Sequence, residues 1–149
     1  GTSSKDEILN ILKSNGIFYK EGLKKSSINV VIWGTGEPLR EFLHVNDLAR
    51  ACIFLMETDP NKLSPSADII SPLFNIGSGE EIAIYDLAVL IKDIIGFKGG
   101  IVFDKSKPDG TMKKLLDASK LNKLGWKHSL ELKQGIKAIA QSRYSLNNE

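Results

Sequence analysis

Cysteine is nearly missing from this chain: Cys52 stands alone among 149 residues, so no internal disulfide can form. Its place inside an apolar helical pattern predicts a buried thiol, and the compartment expected of such a chain is the reducing cytoplasm. Histidine is almost as scarce. His44 and His128 lie far apart, and with one cysteine they cannot complete a zinc ligand set, so no metal is expected. His44, in an alternating segment, reads as a satisfied core or interface histidine. No apolar run approaches the roughly 20 residues that span a bilayer, and the N-terminus has no signal-peptide pattern, which argues against a membrane partner. An excess of charge is lacking too. Twenty basic and 18 acidic residues are spread along the chain for a net +2, leaving no footprint for nucleic acid or an anionic membrane.

Familiar catalytic patterns are also wanting. No G-x-S-x-G elbow occurs. Tyr19, Tyr85 and Tyr144 are followed four residues on by Leu23, Val89 and Asn148, where a lysine would be needed to lower a catalytic tyrosine's pKa. Gly77-Ser78-Gly79 sits where a dinucleotide pyrophosphate loop would, but Ile82 takes the third glycine's place and would hinder the close helix approach. It reads as a plain strand-to-helix turn.

What is present is a chain 42% hydrophobic and 26% charged, enough for one ordinary core. Ser4 to Glu7 form a capping box for a helix carrying Ile8, Leu9 and Leu12 and stopped at Gly16. Lys20 to Asn29 reads as loop, and Val30 to Trp33 as a buried strand. Glu41 to Val45 alternates like a half-buried strand, and Asn46 is placed to cap a helix with Leu48, Ala51, Cys52, Leu55 and Met56 on one face. Asn61 to Ser71 reads as loop and Leu73 to Ile76 as strand. Ile84 to Ile95 has helical spacing before Gly96, and Gly100 to Asp104 reads as strand. Asp117 is placed to cap a short helix with Leu116 and Leu121 as its staple, Trp126 packs back, and a last helix from about Leu130 ends in a frayed tail. Strands and helices alternate without repeats, so the class is α/β.

Two polar clusters could face a ligand. The tight turn after Trp33 brings Arg40 close, a fork for phosphate beside a flat apolar face, although a lone tryptophan is more often a core residue. Lys105 to Lys114 holds four lysines around Pro108-Asp109-Gly110, a sequence that forms solvated turns for backbone reasons alone.

Together, Val31 to Ala49 with its Trp-Gly-x-Gly-x-Pro approach, Phe74 to Gly79, Ser106 to Thr111 with Lys114 to Asp117, and Leu124-Gly125-Trp126 resemble the GDP-L-fucose synthase family. Its members are 3,5-epimerase and 4-reductase enzymes of the extended short-chain dehydrogenases. The resemblance spans about Val30 to Arg143. It implies a substrate-binding lobe over 30–149, preceded by a helix and loop over 1–29 that end a family insertion, with the Rossmann cofactor half lying upstream. It further implies Trp33 and Arg40 on the GDP moiety, Asp109 on the nucleotide side, and Lys114 as a nearby cation. Met112 and Lys113 replace a Pro and an Arg usual in that loop, the second change keeping the charge. The implied partner is a GDP-sugar and the implied cofactor of the whole enzyme NADP. The chain alone is expected to bind no cofactor and to be catalytically silent. Helices opening at Asn46 and Ile84 are expected to leave apolar surface open or paired between copies as a homodimer. The alternatives are a free-standing nucleotide-sugar binding module, or the same lobe of another nucleotide-sugar epimerase or dehydratase.

Overall fold

The capping box forms as the sequence predicts: Ser4 Oγ accepts from the Glu7 N–H at 3.3 Å while the Glu7 carboxylate accepts from the Ser4 N–H at 2.9 Å, opening α1 (Lys5–Ser14). A computed structural model describes residues 4–20, 27–63 and 73–144. The expected loop residues 21–26 and 64–71 and the tail from 145 onward lie outside those described residues. Among the described residues, no helix is long and apolar enough to cross a membrane.

The chain divides into two units by its contacts. The first takes residues up to Pro38 together with Ala83 to Met112. Its sheet has the order β1 (Ile17–Lys20), β2 (Ser27–Trp33), β5 (Gly100–Asp104). β1 pairs antiparallel with β2, which corrects the loop expected at Ser27 to Asn29, while β2 pairs parallel with β5 from Asn29↔Gly100 to Trp33↔Asp104. A parallel pair needs a crossover, and α4 (Ile84–Ile95), closed by a left-handed Gly96, immediately precedes β5. Sheet and helix line a cavity of about 390 Å³ whose walls include Ile32, Leu87, Ile91 and Ile101.

The second unit takes Leu39 to Ile82 and everything from Lys113. Its buried centre is Ala51, Leu121 and Trp126, with Leu43, Phe54, Leu55, Phe74 and Ile76 packed around it. Trp126 therefore packs back as expected. Leu73 to Ile76, however, is irregular, and the strand at this point is β4 (Glu81–Ala83), in a small sheet ordered β4, β3 (Leu39–Glu41), β6 (Lys113–Lys114). The expected strand at Glu41 to Val45 is displaced to Leu39–Glu41 because His44, not Asn46, caps α2 (Val45–Glu57), its Nδ1 accepting from the Asn46 N–H at 3.2 Å. His44 is thus a cap, its ring edge against Gly135.

The buried side of α2 also differs from expectation. Asp47, Ala51, Phe54 and Leu55 face inward, while Leu48, Cys52 and Met56 are exposed. The cause is Asp47, 1% exposed, whose carboxylate accepts from the Ser129 N–H, the Ser129 hydroxyl and the Leu130 N–H at 3.1, 2.8 and 2.9 Å. Burying that carboxylate turns Cys52 outward. A short α3 (Pro60–Leu63) follows where loop was expected. Ala118 occupies the cap position of α5 (Ser119–Lys123), and Asp117 supports its first turn by accepting from the Ser119 N–H at 2.9 Å. Leu121 is buried but Leu116 is exposed, so the expected staple does not form. α6 (Leu132–Tyr144) buries Ala140 and leaves Ile139 exposed.

Candidate functional site

Of the four residues singled out in the sequence, Trp33 and Asp109 belong to the first unit and Arg40 and Lys114 to the second. Trp33 ends β2 opposite Asp104, and the Gly34 N–H donates to the Asp104 carbonyl at 3.0 Å. The indole is 71% exposed, so it is no core aromatic, and the Lys107 ammonium stands 5.5 Å from its ring centroid. Lys107 is brought there by a turn at the end of β5: its N–H donates to the Asp104 carbonyl at 3.1 Å, while the Asp104 carboxylate accepts from the Ser106 hydroxyl at 2.6 Å and the Ser106 N–H at 3.0 Å. The Ser106 hydroxyl first, then its N–H and the Lys107 charge, hold the Asp104 carboxyl below its ordinary range against slight desolvation.

Asp109 is tied to the same turn. Its two oxygens accept from the Thr35 N–H at 2.6 Å and the Thr35 hydroxyl at 2.8 Å. Gly34, at φ +86°, has to be glycine twice over, since the conformation disfavours a side chain and a Cβ would run into the Asp109 carboxylate. The polar loop is therefore anchored rather than merely solvated. Thr35 and Lys107 escaped sequence reasoning because no local pattern marks them; their partners lie 74 residues away in each case.

In the second unit, β3 and β6 run parallel with Leu39 opposite Lys113 and Arg40 opposite Lys114. Paired residues on neighbouring strands point to one face, with backbones about 4.8 Å apart. The guanidinium donates to the Leu39 carbonyl at 2.7 Å, and among the described residues neither Arg40 nor Lys114 has a carboxylate partner. Lys113 points away on the alternate face and pairs with Glu81 at 2.7 Å. The charge that replaces the usual arginine is thus matched, while the neighbouring pair of cations is not. Such a pair suits a phosphate or diphosphate group.

The Gly77 to Gly79 turn is occupied from within. Its Gly79 N–H donates to the Glu41 carboxylate at 2.6 Å, and a Cβ on Gly77 would collide with that carboxylate. An amide already held by an acid does not fit a pyrophosphate, and the turn leads into β4 rather than directly into a helix.

The sequence model of the NAD dependent epimerase/dehydratase family matches residues 15–77. Putative GDP-L-fucose synthase 2 of Arabidopsis thaliana is 48% identical over 118 residues, which are 79% of this chain and 33% of the relative. GDP-L-fucose synthase of Escherichia coli K12 is 41% identical over 123 residues, 83% of this chain and 38% of the relative. Among solved structures, a GDP-6-OMe-4-keto-L-xylo-heptose reductase from C. jejuni superposes with a TM-score of 0.81 at 39% identity, covering 97% of this chain and 40% of that one. The chain spans about a third of the length of the curated relatives it matches. The α/β architecture agrees with those structures, and the chain belongs to the NAD dependent epimerase/dehydratase family.

Proposed function

We propose that this chain supplies the GDP-sugar-binding part of an NADP-dependent 3,5-epimerase and 4-reductase, the activity that converts GDP-4-keto-6-deoxy-D-mannose to GDP-L-fucose. The observation that carries the reading is the in-register Arg40 and Lys114 pair, two cations on one face with no ion-paired carboxylate among the described residues. Two adjacent cations facing no carboxylate repel each other, and a diphosphate relieves that repulsion while accepting a bidentate pair of hydrogen bonds from the guanidinium. Relatives that carry the name GDP-L-fucose synthase, at 41 to 48% identity, supply the choice of nucleotide and sugar.

In the first unit, the exposed Trp33 indole offers a flat face for a base or sugar, with Lys107 adding positive charge beside it. Asp109 keeps free lone pairs on both oxygens after bonding Thr35, so it still accepts hydrogen bonds from ribose or guanine donors. NADP, when the whole enzyme binds it, supplies the hydride of the reductase step; the residues of this chain bind and orient the nucleotide-sugar. By itself the chain binds without turning substrate over.

The test is a two-dimensional NMR titration with GDP and with UDP as control. GDP-selective shifts at Trp33, Arg40 and the Asp109 loop are expected, and Arg40→Ala is expected to weaken GDP by about 2 kcal/mol, roughly thirtyfold. Equal affinity in wild type and variant would remove Arg40 from the site. A second reading is favoured by the GDP-heptose enzymes among the solved structures, which match over 93 to 97% of this chain: the same GDP-binding lobe serving a reductase of another sugar. Turnover of GDP-4-keto-6-deoxy-D-mannose against a GDP-4-keto-heptose by the full-length enzyme separates the two.

A further inference from the structure

Arg40 has a neighbour whose side chain faces the other way. Alternation along β3 puts Glu41 on the opposite face, where it is half-buried and, among the described residues, has no basic partner. Its Oε1 accepts from the Gly79 N–H at 2.6 Å and its Oε2 from the Leu116 N–H at 3.1 Å. The backbone of Gly77 closes over the same carboxylate, leaving no room for a Cβ. One carboxylate thus joins three segments: the strand carrying Arg40, the turn at Gly77 to Gly79, and the chain two residues beyond Lys114.

The last link is the informative one. β6 has only two residues and meets β3 at two register positions, too little ladder to define a strand by itself. The Leu116 N–H held by Glu41 supplies an additional tie just past its end, and that bond is charge-assisted. We propose that Glu41 is a positioning residue: by clamping Leu116 and Gly79 it keeps Lys114 abreast of Arg40 and so sets the spacing of the two cations for a diphosphate. This rests on the reading of Arg40 and Lys114 as the diphosphate contacts. A glutamine at 41 keeps the volume but presents one carbonyl oxygen and an NH₂ that cannot accept, so one of the two amides loses its partner.

Two measurements on the full chain test this. Amide hydrogen exchange in Glu41→Gln is expected to speed up at least tenfold at Gly79 or Leu116 and at Lys114, with α4 and α6 amides unchanged as the control for folding. GDP affinity, by calorimetry, is expected to fall about tenfold in Glu41→Gln and about tenfold in Lys114→Ala. The double variant is expected to be no more than twofold worse than Lys114→Ala, because Glu41 acts through the lysine. Unchanged exchange at Leu116 and Lys114 overturns the clamp whatever the GDP result. Changed exchange with losses that multiply in the double variant overturns its action through Lys114. If wild-type chain binds no GDP while exchange responds as expected, the diphosphate reading fails and the assignment of Glu41 to it falls with it, with the clamp itself standing.

Discussion

At the scale of single residues, Asp47 does most to organise the second unit. Burial by itself would push its carboxyl up, yet hydrogen bonds from the Leu130 N–H, the Ser129 hydroxyl and the Ser129 N–H, with Arg50 3.5 Å away, outweigh it and hold the carboxyl below its ordinary value. A carboxyl depressed by folding contributes stability that is complete above its unfolded pKa, about 3.9, and that is lost as pH falls through the lower folded value. Asp47→Asn is expected to lower unfolding stability by about 3 kcal/mol at pH 7, since the amide's NH₂ faces donors and leaves buried N–H groups unpaired. The gap between wild type and variant should narrow below about pH 4. Urea unfolding of both proteins at pH 7 and pH 3 measures this; a gap of the same size at both values would show that ionised Asp47 is not what holds α2 against the Ser129 segment. In the first unit, Gly34→Ala is expected to destabilise by about 2 kcal/mol, combining a left-handed backbone with a Cβ driven at Asp109. Thermal melting of that variant at wild-type temperature would remove the Thr35 and Asp109 tie from the list of anchors.

At the scale of elements, α2 shows where burial lies. Leu121, fully buried against Ala51 and Trp126, is expected to cost about 3 kcal/mol as Leu121→Ala, whereas Met56→Lys on the exposed side of α2 should stay within about 0.5 kcal/mol of wild type. Denaturant midpoints of the two variants check the contrast. Elements with strong local patterns were legible from the residues: α1 from its capping box, α4 from its spacing and Gly96, β5 from its apolar run. The elements that were not are those made by distant partners. β6 is two lysines with no strand character until Leu39 and Arg40 lie beside them, and β4 takes its place only against β3. Leu73 to Ile76 has a strand's composition but finds the Trp126 and Leu121 cluster instead of a ladder partner. The inward face of α2 misled because Asp47, a residue type seldom buried, takes a place that periodicity assigns to Leu48 or Cys52. For the candidate site, Trp33 and Arg40 stood out from the tight turn they flank, whereas Asp109 and Lys114, in a lysine-rich turn with an ordinary solvated reading, gained a role only through family resemblance. The register that puts Arg40 opposite Lys114, and the clamp from Glu41 to Gly79 and Leu116, could not be read from residues 38 to 75 apart.

At the scale of the whole molecule, apolar surface is the unbalanced quantity. Val45, Leu48 and Met56 on α2 are 66, 43 and 85% exposed, and Ile53 is 53% exposed on the same helix. In the first unit, the walls shared by its sheet and α4 surround about 390 Å³ rather than meeting. Water in contact with that much hydrocarbon is unfavourable at about 25 cal/mol per Å², and monomeric proteins seldom leave patches of several hundred Å² open. Isolated chains are therefore expected to bind an apolar-patch dye and to show a light-scattering mass that rises with concentration, as copies cover one another's helices. Leu48→Lys with Met56→Lys should reduce both effects while leaving the buried cluster of Ala51, Leu121 and Trp126 intact, because the substituted side chains do not belong to it. A wild-type chain that stays monomeric and dye-silent across the concentration range would show that the α2 stripe is stable in water. A double variant that associates as strongly as wild type would move the sticky surface from α2 to the cavity walls of the first unit.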